Sequence, residues 1–389
     1  MPPKKNPFHL PHMSVFLLMS IVLYLVWTLQ MPAFFLLPVL PINTIQSTCP
    51  QTETLTGPYQ MDIMESKDHR VVLLSDWHMD ITSCPEDTKC KTSIVPYLSN
   101  MFETYRGKED INFFLEIDFE ENIRRLEKAS EEALNTLRPM LLRGENPLET
   151  NYLTNLRLYF DDCFQKDKQL CRYRHSSVKF HYSDVRGGVI HTKTDKESQT
   201  SIKELHQLRL MLFENKTPTA KNIQTLEKFI QRFAQQDVDF FFRISKIDKQ
   251  LNEIKRKNPQ GEHISNELYE IMSHHMQESK YDIVTSFKTL KELETENDIK
   301  ALKTKFRGVS EIFQGVMLKP LFDIYTLARM IRHDMKQVII YAGGEHISTI
   351  RNFLQSYMNY ETITSVKPEK GSGFQCIKMK NVHQPWFTS

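Results

Sequence analysis

Three short stretches of the chain are almost continuously apolar: Val71–Leu74, Ile111–Leu115 and Gln337–Ala342, the last with a β-branched centre. Runs of this length, without the alternation of a half-exposed strand, predict strands buried on both faces. Phe374–Met379 is a fourth candidate near the C-terminus. Between the runs the period changes. Residues 119–143 mix acidic, basic and apolar positions at helical spacing. From about 197 to 335, apolar residues recur in steps of three and four, as in Leu226, Phe229, Ile230 and Phe233, then Phe241, Ile244, Leu251 and Ile254. Asn258-Pro259-Gln260-Gly261 interrupts that stripe and starts a new segment. The heptads are not sustained, so a packed helical insertion ranks above a partner-binding coiled coil. Strands followed by helices predict an α/β fold, with a mixed or parallel sheet covered by helices and a helical insertion at about 197–335.

The N-terminal pattern is of another kind. Met13–Leu29 carries no charge, and after Gln30 a second apolar stretch runs to Pro41. Roughly 20 apolar residues cross a hydrocarbon core, so 13–41 is expected to be a transmembrane signal-anchor, with Tyr24 and Trp27 at an interface. A cleaved signal peptide is the alternative, but no small-x-small cleavage site follows the apolar region. Lys4 and Lys5 precede the span, and no Lys or Arg follows until Lys67. This asymmetry places residues 1–12 in the cytosol and the main domain in a lumen, outside the cell or on a virion surface. Residues 42–66, rich in Thr, Gln, Ser and Pro, read as a polar stalk before an ectodomain at 67–389.

The six cysteines all fall in the exported part, and an even number permits complete pairing, with Cys84–Cys90 and Cys163–Cys171 as local bridges. Asn215-Lys216-Thr217 is a glycosylation sequon, usable only in this topology. Composition changes little: 40% hydrophobic, 25% charged and a net charge of +2 describe an ordinary globular protein, and without a dense Lys/Arg run no nucleic-acid partner is expected. There is no G-x-S-x-G elbow, no phosphate-binding P-loop and no Cys-x-x-Cys pair.

In open α/β sheets ligands bind beyond the carboxyl ends of the strands. The first run ends in Ser75-Asp76-Trp77-His78, the second in Glu116 with Asp118 beyond, and the third in Gly343-Gly344-Glu345-His346. Each strand thus delivers an ionisable group to one predicted edge, and imidazole and carboxylate are the groups that bind divalent metals or move protons near neutral pH. A glycine after a strand allows a sharp turn or the close approach of a ligand. The blander readings are a surface His78, an Asp76 that caps a helix, and a His346 that merely sits in a first helical turn. Glu116 ends a very apolar run and therefore needs a partner, structural or catalytic.

These motifs resemble the superfamily of TraB/Tiki proteins, ChaN-like haem-uptake proteins and erythromycin esterase-like hydrolases, which carry two G-x-x-H motifs after strands with a glutamate between. Gly343–His346 matches one motif fully, Ser75–His78 matches the other with Ser in the leading position, and Glu116 matches the glutamate. The chain also looks like proteins of large DNA viruses that share an H-Y-x-D-x-R segment, here His181–Arg186. The resemblance implies a membrane-tethered hydrolase in which His78, Glu116 and His346 either hold a divalent metal ion or activate water without one. Arg186 and Asp184 either complete that pocket, an Arg holding a substrate carboxylate or phosphate, or form a pair that fixes a loop. Asp323 and Arg329 are expected to make structural contacts. The rival to a hydrolase is a non-catalytic membrane or virion surface protein that binds a partner. A third reading takes Asp76-Trp77-His78 as the D-x-H opening of a metallophosphoesterase, although the later motifs of that class are absent.

Overall fold

A computed structural model describes residues 52–78, 90–118, 131–145, 151–164, 171–185, 216–217, 219–293, 298–311, 319–367, 375–380 and 382–387. The expected anchor at 13–41, the cytosolic segment, Cys49, Cys84, Arg186 and Asn215 lie outside these residues. Among the described residues no helix is long and apolar enough to cross a membrane.

The fold is mixed α/β. Its central sheet has six strands: β2 (Gln60–Ser66), β3 (His69–Asp76), β5 (Ile111–Asp118), β6 (Val178–Asp184), β7 (Gln337–Gly343) and β8 (Glu361–Val366), in the order β6-β5-β7-β3-β2-β8. The first four are mutually parallel, and β2 runs antiparallel to both β3 and β8. The three runs read as buried strands are β3, β5 and β7, side by side at the centre. Alternation explains why each is apolar throughout. Val71, Leu73, Phe114, Val338 and Ile340 face one core, while Val72, Leu74, Phe113, Ile339 and Tyr341 face the other.

The chain crosses these faces in turn. On the second face lie α1 (Ile94–Thr104), α2 (Glu131–Leu142) and α3 (Tyr152–Phe164). Phe102, Phe113, Phe160 and Phe180 interlock there with ring centroids 5.4–5.9 Å apart. Truncating one such ring to Ala costs about 3–5 kcal/mol. The connection from β6 to β7 uses the first face. It comprises α4 (Ala220–Ala234), α5 (Val238–Ile244), α6 (Ile247–Lys257), α7 (Gly261–Leu293), α8 (Ile299–Glu311) and α9 (Lys319–Arg332). This is the expected insertion, and Phe241, Leu251 and Ile254 of its stripe are buried. α10 (Gly344–Met358) follows β7 on the same face.

Two sequence readings need correction. Residues 54–66 are not stalk: Thr54–Thr56 forms β1, and β2 is largely buried. β2 reads as polar because Asp62 interrupts it, yet Asp62 is buried and satisfied by Gln60, Arg351 and Ser365. Among the described residues of the C-terminal candidate, Cys376–Lys378 forms a strand, β9, which joins not the main sheet but a small one with β1 and β4 (Lys91–Ser93). The Cys163–Cys171 bridge is present, with Cα atoms 4.7 Å apart. Cys90 and Cys376 are also disulfide-bonded.

Candidate active site at the strand ends

The parallel registers set Asp76 opposite Gly343, and Leu115 opposite Tyr341, so the chemistry after β3, β5 and β7 converges on one edge. Asp76 follows Val72 and Leu74 by twos and so faces the aromatic core, where the Tyr341 hydroxyl donates to its Oδ2 at 2.6 Å. Glu116 follows Phe114 and faces the helical insertion. His78 spans the two. Its Nδ1 lies 3.5 Å from Asp76 Oδ1 and its Nε2 lies 3.4 Å from Glu116 Oε2.

Backbone geometry enforces this bracket. His78 adopts a left-handed conformation, φ 53°, unusual for a residue with a side chain. Its N–H donates back to Asp76 Oδ1 at 2.5 Å, so Asp76 closes a local turn rather than serving as the helix cap that the sequence allowed. The Gly343 N–H donates to Glu116 Oε2 at 2.9 Å, which partners that buried carboxylate. Gly343 is needed for a steric reason as well, because a Cβ there would stand 2.5 Å from His78 Nε2. The Tyr59 hydroxyl similarly fills the space a side chain at Gly344 would require. The glycine pair therefore admits two of the protein's own side chains.

The electrostatics follow the packing. The Glu116 carboxylate, helped by Asp76, holds the His78 imidazole above its ordinary pKa, against burial and the nearby charge of Arg157. Burial pushes the Asp76 carboxyl up, while its bonds from Tyr341 and His78 pull the other way. Arg157 of α3 donates through Nε to the Glu116 carbonyl at 2.6 Å.

His346 lies in the first turn of α10, buried against the Phe322 ring at 4.3 Å. Its Nδ1 meets Asp323 Oδ1 at 2.7 Å. Burial raises the Asp323 carboxyl, His346 draws it back, and the negative charge of Glu116 adds to the upward push, which ties this pair electrostatically to the first. Trp77 is half exposed and packs on Tyr59 with centroids 5.4 Å apart, forming an aromatic lip beside His78.

Of the expected residues, the structure brings His78 and Glu116 together and gives His346 its own carboxylate. Arg329 belongs elsewhere, donating to His181 Nδ1 at 3.2 Å and to the Tyr325 hydroxyl at 3.0 Å. Asp323, expected to be structural, is the partner of a candidate site residue. Sequence reasoning also missed Tyr59, Arg157 and Tyr341. Only Tyr341 carried a signal, since alternation points it to the face that Asp76 shares. Among the described residues no group of three or more His, Cys, Asp and Glu side chains is arranged to hold a metal ion. His346 Nδ1 is engaged by Asp323, and both Asp76 oxygens accept hydrogen bonds from within the protein. Compared with protein-family models, with known proteins and with solved structures, the chain matches none.

Proposed function

We propose that the chain is a membrane-anchored hydrolase whose centre is His78 held between Asp76 and Glu116. One observation carries this reading: a partly exposed imidazole, 44% accessible, with a carboxylate at each ring nitrogen, at the ends of two parallel strands that flank β7. Asp76 orients Nδ1. Glu116 orients a water at the exposed side of the ring and stabilises the imidazolium that forms when His78 takes the water's proton. The hydroxide equivalent adds to an acyl carbon, and collapse of the adduct expels the leaving group, which regains the proton from His78. The Trp77–Tyr59 lip, its rings tilted by 38°, supplies an apolar surface for an ester or amide with a ring-bearing group.

The Tiki and erythromycin esterase resemblance supports the same assignment through His78 and Glu116, whereas its third residue, His346, is buried against Asp323. A metal-assisted version would need those donors to regroup, and metal content of the purified chain tests it directly. Paired cysteines support export to an oxidising compartment. A glycosidase-sensitive mass shift that is lost in Asn215→Gln would support that topology, and protease digestion of the main domain in intact cytosol-facing vesicles would contradict it. The functional test is hydrolysis of a panel of p-nitrophenyl and peptide esters. Turnover by the wild type that disappears in His78→Ala and Glu116→Gln supports the proposal. Equal turnover in all three proteins ends it.

A further inference from the structure

A second cluster lies at the opposite edge of the sheet, where the parallel strands begin. The turn before β6 and the loop before β5 flank an open cleft of about 500 Å³ whose lining includes Arg106, Arg172, His175 and Ser177 over the aromatic rings of Phe102 and Tyr173. An eight-residue strand separates this edge from His78, a distance of roughly 20 Å or more.

The cations are held in place rather than merely present. Arg172 directly follows Cys171, which the disulfide to Cys163 fixes to the end of α3. Glu103 Oε1 takes one guanidinium nitrogen of Arg172 at 2.8 Å. Arg106 closes the carboxyl end of α1 by donating through Nη1 to the carbonyls of Glu103 and Tyr105, at 2.6 and 2.7 Å. That offsets the negative end of the helix dipole, which would otherwise repel an anion. Tyr105 anchors the same loop through Glu109 and Gln337 and lies over Gly107, where no side chain would fit. His175 Nε2 accepts from Arg174 Nε at 2.8 Å, which leaves the proton on Nδ1 and makes that nitrogen a donor. Each of Arg106 and Arg172 thus engages the protein through one terminal nitrogen, and the rest of each guanidinium fork is available to a ligand.

We propose that this cleft binds a tetrahedral oxyanion, a phosphate or sulfate group on a small soluble ligand. Two guanidinium forks and an imidazole N–H match its oxygens, and the buried rings of Phe102 and Tyr173 form the floor beneath them. The Glu103 carboxylate serves to aim Arg172, and the cationic side chains outnumber it.

The test measures binding of inorganic phosphate, sulfate and acetate to the full chain at constant ionic strength, in wild type, Arg106→Gln/Arg172→Gln and Arg106→Lys/Arg172→Lys. Saturable binding of phosphate or sulfate, weakened about tenfold or more in the Gln variant and less in the Lys variant, is the expected result. The arginine Nε–H resonances of the wild type should shift on phosphate addition, a readout that needs no variant. Acetate binding as tightly as phosphate, a Lys variant equal to wild type, or unshifted arginine resonances would each overturn the proposal.

Discussion

The two histidines at the strand ends sit in opposite circumstances. His78 lies across the edge of the sheet, taking Asp76 from one face and Glu116 from the other at 3.4–3.5 Å, and keeps 44% of its side chain exposed. His346 is packed within one face, 7% exposed, against a single carboxylate at 2.7 Å. Contacts beyond 3.2 Å are loose for hydrogen bonds, and a short one between buried groups holds its geometry. The difference separates tasks. An open imidazole with two partners can exchange protons with a substrate, whereas a buried one with a tight partner sustains the wall behind it.

Removing the imidazole of His78 should give the largest effect. His78→Ala is expected to lower ester turnover about a thousandfold, the usual range for losing a positioned acid–base group, with an unchanged melting transition at a pH above the raised His78 value, where its ion pairs no longer contribute. Glu116→Gln should fall in the same direction. If His78→Ala melts early while retaining turnover, the two histidines have been given the wrong tasks.

The converse change lies at Asp323. Asp323→Ala leaves the buried His346 Nδ1 without a partner and should lower unfolding stability by about 3 kcal/mol, read by denaturant titration. A stability change within about 0.5 kcal/mol would place Asp323 outside the packing of this wall.

How much of this contrast was legible beforehand depended on sequence distance. The strands that carry His78, Glu116 and His346 announced themselves because burial on both faces forces runs such as Val71–Leu74. β2 did not, because its buried Asp62 is satisfied by Arg351 and Ser365, some 300 positions away. The contact expected of Asp323 could not be named for a related reason: its partner stands 23 residues on, in a different helix, and no periodicity connects them. β6 hid behind the polar side chains of Lys179, His181 and Ser183, and the burial of His181 depends on Asn112 of the neighbouring strand. Local patterns reveal apolar strands. Polar partners become visible only after folding.

Gly343 offers a finer test, because it leaves every ionisable group in place. A methyl group there would stand 2.5 Å from His78 Nε2, so the ring must move off Glu116. Displacements of about 1 Å at a reacting group cost up to about a hundredfold, and Gly343→Ala should approach that loss in kcat while leaving the far wall at Asp323 intact. Trp77→Ala should instead raise KM and leave kcat nearly unchanged, since the role proposed for this half-exposed ring is to hold the substrate's body and not its reacting atoms.

The smallest effect expected is a pH shift, and it separates function from stability at one residue. The charged groups that act on His78 are Glu116 and Asp76, which raise its pKa, and Arg157, which lowers it, with the carboxylates prevailing. As a general base His78 must be neutral, so turnover should climb as pH rises through that raised value. The stability it contributes has the opposite sign. The ion pairs are fully formed below the ordinary histidine pKa near 6.5, and their contribution disappears as pH rises through the folded value. The protein should therefore gain activity and lose this part of its stability over the same window. Glu116→Gln removes the largest upward influence and should bring the midpoint of His78, followed by imidazole NMR, down toward its ordinary value. A midpoint that stays in place would mean that Asp76, not Glu116, controls the imidazole, and the roles of the two carboxylates would have to be exchanged.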